Sequence, residues 1–252
     1  MIDLQKAPFS KRLFAYLADL ILASIVIVGV YFVMSAALDV DGYNAKYYEK
    51  LSEYEEKYGV SFDTTAEQYA AMTQEEKDNY KAAVDAMNGD EEANDAIKTS
   101  YRLVLIIFTS GIILSTAVLE FAIPLAFGDG RTLGKRLFGL GVMRRSGIRV
   151  SPTVLFARGI IGKAVLELIL PVLILFSVLS GYTGVFGIVM LIAFCIAEIA
   201  AYAVSRTCAF LHDILADTVV IDWGSQMIFD SIEARDEYYK KKKEAEEARK
   251  LY

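Results

Sequence analysis

The sequence predicts an all-α membrane protein: a bundle of four transmembrane helices, a small helical extracellular insertion and a short cytosolic β-hairpin. The first supporting observation is composition, since 55% of the 252 residues are hydrophobic and the mean hydropathy is +0.37. Soluble domains usually contain about 45–50% apolar residues. The second is that the apolar residues fall into four runs, each long enough to cross a bilayer. The third is that acidic and basic residues are concentrated in different segments between these runs.

The four apolar runs are predicted to be membrane-spanning helices, and they cover residues 13–38, 103–127, 153–179 and 182–204. The first run is longer than the apolar core of a secretory signal peptide, so we expect an uncleaved first span. Gly181 separates the last two runs and predicts a tight helical hairpin. Pro171 predicts a kink in the third span.

The distribution of charge predicts the orientation. Three basic residues precede the first run, and six basic residues with a single acid occupy the loop 128–152. Because short loops rich in Lys and Arg stay in the cytosol, this loop and both chain termini are expected there. The acidic stretch 39–100 is then outside. We therefore expect a multi-pass protein of the cell (plasma) membrane with cytosolic N- and C-termini.

Local signals divide the loops further. Thr73 to Glu76 has the pattern of a capping box, Asn88-Gly89 that of a helix end, and Asp90 can cap the helix that follows. Residues 142–145 and 148–150 flank Ser146-Gly147 and predict a hairpin, with residues 218–221 as a candidate additional strand. The predicted segments are 1–38 (N-terminus and first span), 39–100 (insertion), 101–127 (second span), 128–152 (basic loop), 153–206 (span hairpin), 207–224 (the segment containing His212-Asp213) and 225–252 (charged tail helix).

Each predicted span carries an acid: Asp19, Glu120, Glu167 and Glu198. Asp19, Glu120 and Glu198 lie about 10 Å from the cytosolic face if each residue adds 1.5 Å along the helix. Lys163 lies slightly deeper. Lys163 and Glu167 are four residues apart, so they are expected to pair on one helix face. Buried charges of this kind indicate either an ion or proton site or a salt-bridge network that fixes helix packing. Both interpretations remain open at this point.

Three blocks of the sequence resemble the RDD family of mostly bacterial membrane proteins. They are Arg12 with Ala15 and Asp19, the basic stretch 130–136, and Leu211-His212-Asp213. The family is named for one arginine and two aspartates, which on this sequence would be Arg12, Asp19 and Asp213. Most such proteins are uncharacterised, and some resemble Na⁺(Li⁺,K⁺)/H⁺ antiporters. The resemblance therefore implies a membrane protein, with antiport as one expectation.

The remaining candidate residues favour binding over catalysis. His212 is the single histidine, so it cannot form a two-histidine metal site, and no nucleophile motif is present. We expect no enzyme activity, no catalytic residue, no metal and no cofactor. The position of His212 beside Asp213 suggests a pH sensor, with a packed histidine at the membrane edge as the alternative. Arg131, Lys135 and Arg136 are expected to contact lipid headgroups.

Two functions from different classes follow. The first is a cation/proton (Na⁺/H⁺-type) transporter that uses intramembrane carboxylates and works as a homo-oligomer, because four spans enclose little space. The second is a non-transporting scaffold, assembly component or sensor whose Arg and Asp residues are structural ion pairs. The expected partners are the lipid bilayer, a monovalent cation or proton, and a second copy or another membrane protein. No feature of the sequence favours nucleic acid.

Overall fold

The structure is a computed structural model that describes residues 5–250. The predicted N-terminal segment and tail therefore extend, at residues 1–4 and 251–252, outside the described residues. Within the described range, four helices are long and apolar enough to cross a membrane. Each overlaps one predicted run, which confirms the predicted fold class. The second begins well before its run, because the last helix of the acidic segment continues into the span.

The helices in chain order are α1 (Phe9–Ala37), α2 (Val40–Tyr58), α3 (Ala66–Ala71), α4 (Gln74–Gly89), α5 (Glu91–Phe127), α6 (Leu133–Leu137), α7 (Pro152–Leu179), α8 (Gly184–Val204), α9 (Leu211–Leu215) and α10 (Ile232–Lys250). The strands are β1 (Leu140–Arg144) and β2 (Thr218–Asp222). The chain divides into two compact units. One contains Val28–Ser110, and the other contains Met1–Ile27 with Gly111–Tyr252.

The acidic part of the unit Val28–Ser110 consists of helices joined by short turns, as the capping signals predicted. Thr73 and Glu76 form the complete capping box of α4, with both reciprocal hydrogen bonds present. Asp90 accepts a hydrogen bond from the Ala93 amide at 2.9 Å and so caps α5. The Tyr54 hydroxyl donates to the same aspartate at 3.0 Å, which ties α2 to this junction.

The other unit contains a two-stranded antiparallel sheet, in which Leu140 pairs with Asp222 and Arg144 with Thr218. The sequence predicted residues 148–150 as the hairpin partner and 218–221 as an additional strand. In the structure β2 is the partner, and the turn at Ser146-Gly147 leads only to isolated bridges. The reason lies just downstream, where Ser151 caps α7 and Pro152 begins it, so the chain leaves the sheet almost at once.

The third span, α7, departs from α-helical winding over much of its length. Ala157–Ile169 is a π-helix, with i→i+5 hydrogen bonds such as that from the Leu170 amide to the Val165 carbonyl. α-Helical winding resumes at Leu170, beside Pro171. Since proline has no amide hydrogen, it removes one hydrogen bond from the helix at this junction. The helix type thus changes beside Pro171, while the predicted kink stays a prediction.

Candidate functional site

Charged side chains from several helices meet in the interior of the unit formed by Met1–Ile27 and Gly111–Tyr252. They come from α1, α5, α6, α7, α8 and α9. Buried charges are stable only when they are paired or hydrogen-bonded. This polar cluster consists of Arg12, Asp19, Glu120, Lys135, Arg158, Lys163, Glu167, Glu198, His212 and Asp213.

Asp213 lies at the centre of the cluster and is fully buried. Its Oδ1 accepts from Arg158 Nε at 2.9 Å and from the Thr218 hydroxyl at 2.8 Å. The Arg12 guanidinium is farther away, 3.8 Å from Oδ2. Burial alone would raise the pKa of Asp213, but the nearby Arg158 outweighs it and holds that pKa below its ordinary value. Asp213 is therefore an ionised carboxylate whose main partner is Arg158.

Asp19 organises the start of α6. Its carboxylate accepts from the Thr132 hydroxyl at 2.5 Å and from the Gly134 amide at 2.7 Å. A carboxylate is well placed there, because the first amides of a helix have no partner within the helix. Only glycine fits at position 134, since an added Cβ would lie 2.2 Å from the Ala15 carbonyl oxygen. Thr132 thus supplies a hydroxyl to Asp19, and the close approach of α1 leaves room only for glycine at position 134.

The structure overturns the predicted lipid contact of Lys135. Its side chain is buried, and its ammonium lies 3.7 Å from Asp19 and 3.7 Å from Glu120. Burial lowers the pKa of Lys135 to about 8, against the opposing attraction of Glu120. Lys135 points inward because it follows Gly134, whose amide bonds to the Asp19 carboxylate and so holds the start of α6 against α1. It belongs to the cluster and does not reach the lipid headgroups.

Arg131 and Arg136 remain outside the cluster. Both bind Asp129, at 2.7 and 2.6 Å, and these hydrogen bonds outweigh partial burial and lower the pKa of that aspartate. The Arg131 guanidinium also lies 3.9 Å from the ring centre of Trp223, and that of Arg136 lies 3.7 Å from Phe127. Their contact with lipid headgroups stays a prediction.

Glu120 has three basic partners. Its Oε1 accepts a hydrogen bond from Lys163, while Oε2 lies 3.6 Å from Arg158 and 3.7 Å from Lys135. The predicted pair between Lys163 and Glu167 is wrong, since the ion pairs of residues 5–250 do not include it. Lys163 bonds instead to Glu120 on α5, and Glu167 bonds to His212 on α9, so each side chain is taken up by a partner on another helix.

Glu167, His212 and Glu198 form the second half of the cluster. Both carboxylate oxygens of Glu167 lie 2.8 Å from His212 Nδ1. Arg158 Nη2 lies 3.1 Å from His212 Nε2 and can only donate, which assigns the proton of a neutral imidazole to Nδ1. Burial lowers the pKa of His212, and Arg158 adds to this, against the opposing effect of Asp213 and Glu167. His212 is thus a neutral donor to Glu167.

Glu198 is held beside this pair without a basic partner in the described part of the chain. Its Oε2 accepts from the Leu211 amide at 3.4 Å. Glu198 and Glu167 line the same cavity. Two neighbouring carboxyl groups in a poorly hydrated site are stable together when they share one proton.

A family model for the RDD family matches residues 6–217 of the chain. The chain belongs to the RDD family. Comparison with curated proteins and with solved structures finds no further match.

Arg12, Asp19 and Asp213, which the sequence predicted as the arginine and aspartates of the family name, all lie in the matched range, but they do not form one triad. Arg12 faces Asp213 across 3.8 Å, so this ion pair joins helix α1 to the segment after α8. Asp19 instead binds the start of α6. In this RDD family protein the two aspartates therefore anchor two different segments.

Two cavities adjoin the polar cluster. The larger, of about 380 Å³, is lined by the acids Glu167, Glu198 and Asp213, by the basic residues Arg12, Lys135, Arg158 and Lys163, and by apolar and aromatic side chains. Its volume lies in the range of about 300–1,000 Å³ that is usual for small-molecule sites. The smaller, of about 90 Å³, is lined by Asp19 and Glu120 with the hydroxyls of Ser115 and Thr116. Tyr16, Lys163 and Glu167 line both cavities and so separate them.

The structure brings together all the acids of the predicted ion or proton site, and Lys163 with them. Sequence reasoning did not single out Arg158 as a site residue, although it is the main partner of Asp213. An arginine within an apolar run was the signal for it, because such a residue by default pairs inside the bundle. Among residues 5–250, no three His, Cys, Asp or Glu side chains are grouped as a metal ion would require.

Proposed function

We propose that this RDD family protein is a cation/proton exchanger that carries its proton on Glu167 and Glu198. The observation behind the proposal is that Glu198, which has no basic partner among the described residues, lines the larger cavity together with the Glu167–His212 pair. A shared proton bound at such a site can leave without breaking any ion pair of the cluster. The other carboxylates have strong basic or amide partners and are poor carriers by comparison.

The charge balance of the cluster supports the exchange. Its carboxylates are Asp19, Glu120, Glu167, Glu198 and Asp213, and its basic side chains are Arg12, Lys135, Arg158 and Lys163. With His212 neutral and one proton shared by the two glutamates, the cluster is electrically neutral. Loss of that proton leaves one negative charge in a poorly hydrated interior, which is costly. A monovalent cation in the cavity would restore neutrality, so we expect one cation to exchange for one proton.

The groups that face the glutamate pair set its response to pH. His212 and Asp213 approach from α9, Arg158 and Lys163 from α7, Arg12 from α1, and Tyr202 from α8. The basic groups favour the ionised form of the pair, whereas Asp213 and burial favour the protonated form. These influences oppose each other, which suits a proton that must bind and leave.

The two cavities supply a route for transport. Tyr16, Lys163 and Glu167 line both, so a movement of these side chains would connect them. Since Lys163 bonds to Glu120 and Glu167 to His212, the wall is held by polar contacts that can break and reform. We propose this wall as the closed gate of the exchanger.

We also propose that residues 128–152 and both termini lie in the cytosol, as the basic loop indicates, and that the larger cavity faces the cytosolic side of the cell membrane. Four spans provide a short pathway, so we propose a homo-oligomer as the working form. Transport involves no bond-making step, and we propose no enzymatic activity.

The test is proton movement in proteoliposomes. Purified protein is reconstituted with a pH-sensitive dye inside, and Na⁺, K⁺ or an organic cation is added outside. We expect the cation to drive proton efflux. Glu198→Gln should reduce the rate about tenfold or more, because an amide cannot release the shared proton. Glu56→Gln, at an exposed position of α2, is the matched control and should exchange at the wild-type rate.

The proposal fails if no cation drives proton movement. It also fails if Glu198→Gln and Glu167→Gln both exchange at the wild-type rate. Size-exclusion chromatography of each variant in detergent separates loss of exchange from loss of folding.

A specific observation favours the non-transporting alternative. Asp19 caps α6, and Asp213 binds Arg158 and Thr218, so both family aspartates hold segments together. A scaffold or sensor would need no more than this. That function predicts a stable partner that co-purifies with the chain and is lost when residues 40–97 are deleted, together with no proton flux.

A further inference from the structure

We infer that the larger cavity binds a monovalent organic ammonium ion, with its charged group beside Glu198 and its carbon groups against the aromatic wall. The inference rests on the proposed exchange and specifies which class of cation takes part. It comes from three features of the cavity: the groups left without partners, the order of residues along α8, and the chemistry of the wall.

The groups that lack partners in this region are acceptors. Glu198 Oε1 has no hydrogen-bond donor once the proton it shares with Glu167 has left. Asp213 Oδ2, which is fully buried and lines the cavity, has no hydrogen-bond donor either, although His212 Nε2 lies 3.5 Å and the Arg12 guanidinium 3.8 Å away. The ammonium and guanidinium groups of the described cluster all have carboxylate partners. Because buried acceptors without donors are costly, the cavity favours a ligand that brings donors or positive charge.

Helix α8 presents a carboxylate between two aromatic rings. Phe194, Glu198 and Tyr202 are spaced four residues apart and all line the cavity. Residues at this spacing lie along one face of an α-helix. A ligand beside Glu198 would therefore touch aromatic surface on both sides along the helix axis. Aromatic rings attract ammonium and guanidinium groups through their electron-rich faces.

The aromatic wall already holds one cation of the chain itself. The Arg12 guanidinium lies 5.7 Å from the ring centre of Tyr202 and 5.9 Å from that of Phe210. These rings are thus oriented to receive positive charge.

The rest of the wall is largely carbon, and Phe9 and Leu13 contribute to it. Hard metal ions take several oxygen ligands, whereas an organic cation gains from apolar contact over most of its surface. A volume of about 380 Å³ accommodates such a ligand.

Binding is measured with the full chain in lipid nanodiscs by isothermal titration calorimetry. The probe is benzyltrimethylammonium. Neopentylbenzene has the same shape without charge, and benzenesulfonate carries the opposite charge. We expect the cation to bind, and the neutral analogue and the anion to bind at least about tenfold more weakly, the change expected for one charged contact. Glu198→Gln should weaken cation binding by about tenfold or more.

Phe194→Leu tests the aromatic wall without changing any charge. It should weaken cation binding several-fold, by roughly the contribution of one cation–π contact. Phe32→Leu, at an exposed position of α1, is its matched control and should bind like the wild type. Because Phe194→Leu keeps the polar cluster intact, it remains informative if Glu198→Gln does not fold.

The inference is overturned if the neutral analogue binds as tightly as the cation, if benzenesulfonate binds more tightly, or if both variants bind like the wild type. Its failure is distinguishable from that of the exchanger. Proton exchange driven by Na⁺ or K⁺ without binding of benzyltrimethylammonium overturns the organic-cation site alone. Binding that depends on Glu198, with no proton movement in proteoliposomes, upholds the site and overturns the exchanger.

Discussion

Replacement of Arg158 by methionine should destabilise the protein far more than the same replacement of Arg12. Both arginines face Asp213, and the sequence singled out Arg12. In the structure Arg158 lies 2.9 Å from this aspartate and is 2% exposed, and it also contacts Glu120 and His212. Arg12 approaches only to 3.8 Å. The geometry thus ranks two chemically identical substitutions.

The magnitude follows from what each substitution leaves behind. Without Arg158, the fully buried Asp213 keeps the Thr218 hydroxyl, His212 Nε2 at 3.5 Å and the Arg12 guanidinium at 3.8 Å. Removing one partner of a buried ion pair costs about 3–5 kcal/mol. Without Arg12, Asp213 keeps its short contact to Arg158, and the loss is about 1–2 kcal/mol from a longer ion pair and two cation–π contacts.

Thermal unfolding of the purified protein in detergent measures the difference. For chains of this length, 1 kcal/mol corresponds to about 2–4 °C in Tm, so Arg158→Met should lower Tm by roughly 10 °C and Arg12→Met by roughly 4 °C. The double variant Arg158→Met, Asp213→Leu should recover part of the loss, because it removes the uncompensated charge as well. The reasoning is refuted if the two single variants have equal Tm values, or if the double variant is less stable than Arg158→Met.

Three further predictions concern buried groups, each measured as the Tm of the purified protein. Stability should fall as pH drops through 6.5, the ordinary pKa of histidine. Below that pH the unfolded chain binds a proton at His212, whereas the folded chain does not, because burial lowers the pKa of His212. His212→Gln should reduce the dependence of Tm on pH in this range. Stability should rise between pH 8 and 10.5, because folded Lys135, with a pKa of about 8, loses its proton first; the gain is on the order of 3 kcal/mol and should be absent in Lys135→Met. Gly134→Ala should lose about 1–3 kcal/mol through its clash with the Ala15 carbonyl, whereas Gly29→Ala, which meets nothing within 4 Å, should lose none. An unchanged pH profile in either titration variant, or equal Tm values for the two alanine variants, would contradict the corresponding argument.

Features that depend on neighbouring residues could be predicted from the sequence. The four spans follow from uninterrupted apolar runs, since length and composition alone decide whether a helix can cross a bilayer. The capping box at Thr73 and the cap at Asp90 involve residues only three positions apart. The convergence of the acids was open, although their similar depths in the spans pointed towards it.

Features that depend on distant residues could not be predicted. In the sequence, Lys135 has the basic neighbours expected of a lysine that binds lipid headgroups. Only the contact of Gly134 with α1 turns its side chain into the polar cluster. Likewise, β1 could pair with residues 148–150 or with β2, and the early start of α7 decided the choice. In both cases the decisive contact joins segments that the pattern of residues leaves independent.

The π-helical winding of α7 brings together cluster residues that α-helical spacing would separate. Residues nine apart in an α-helix, at about 100° each, lie on opposite sides, so Arg158 and Glu167 would face away from each other. With about 4.4 residues per turn in a π-helix, nine residues make about two full turns, and the same two residues share a face. Lys163 then falls within about 50° of both. The structure follows this geometry, since Arg158 and Glu167 both contact His212 from Ala157–Ile169. A pattern search at the α-helical period therefore separates residues that the wider helix brings together, and the same widening aligns the paired arginine with the proposed proton carrier.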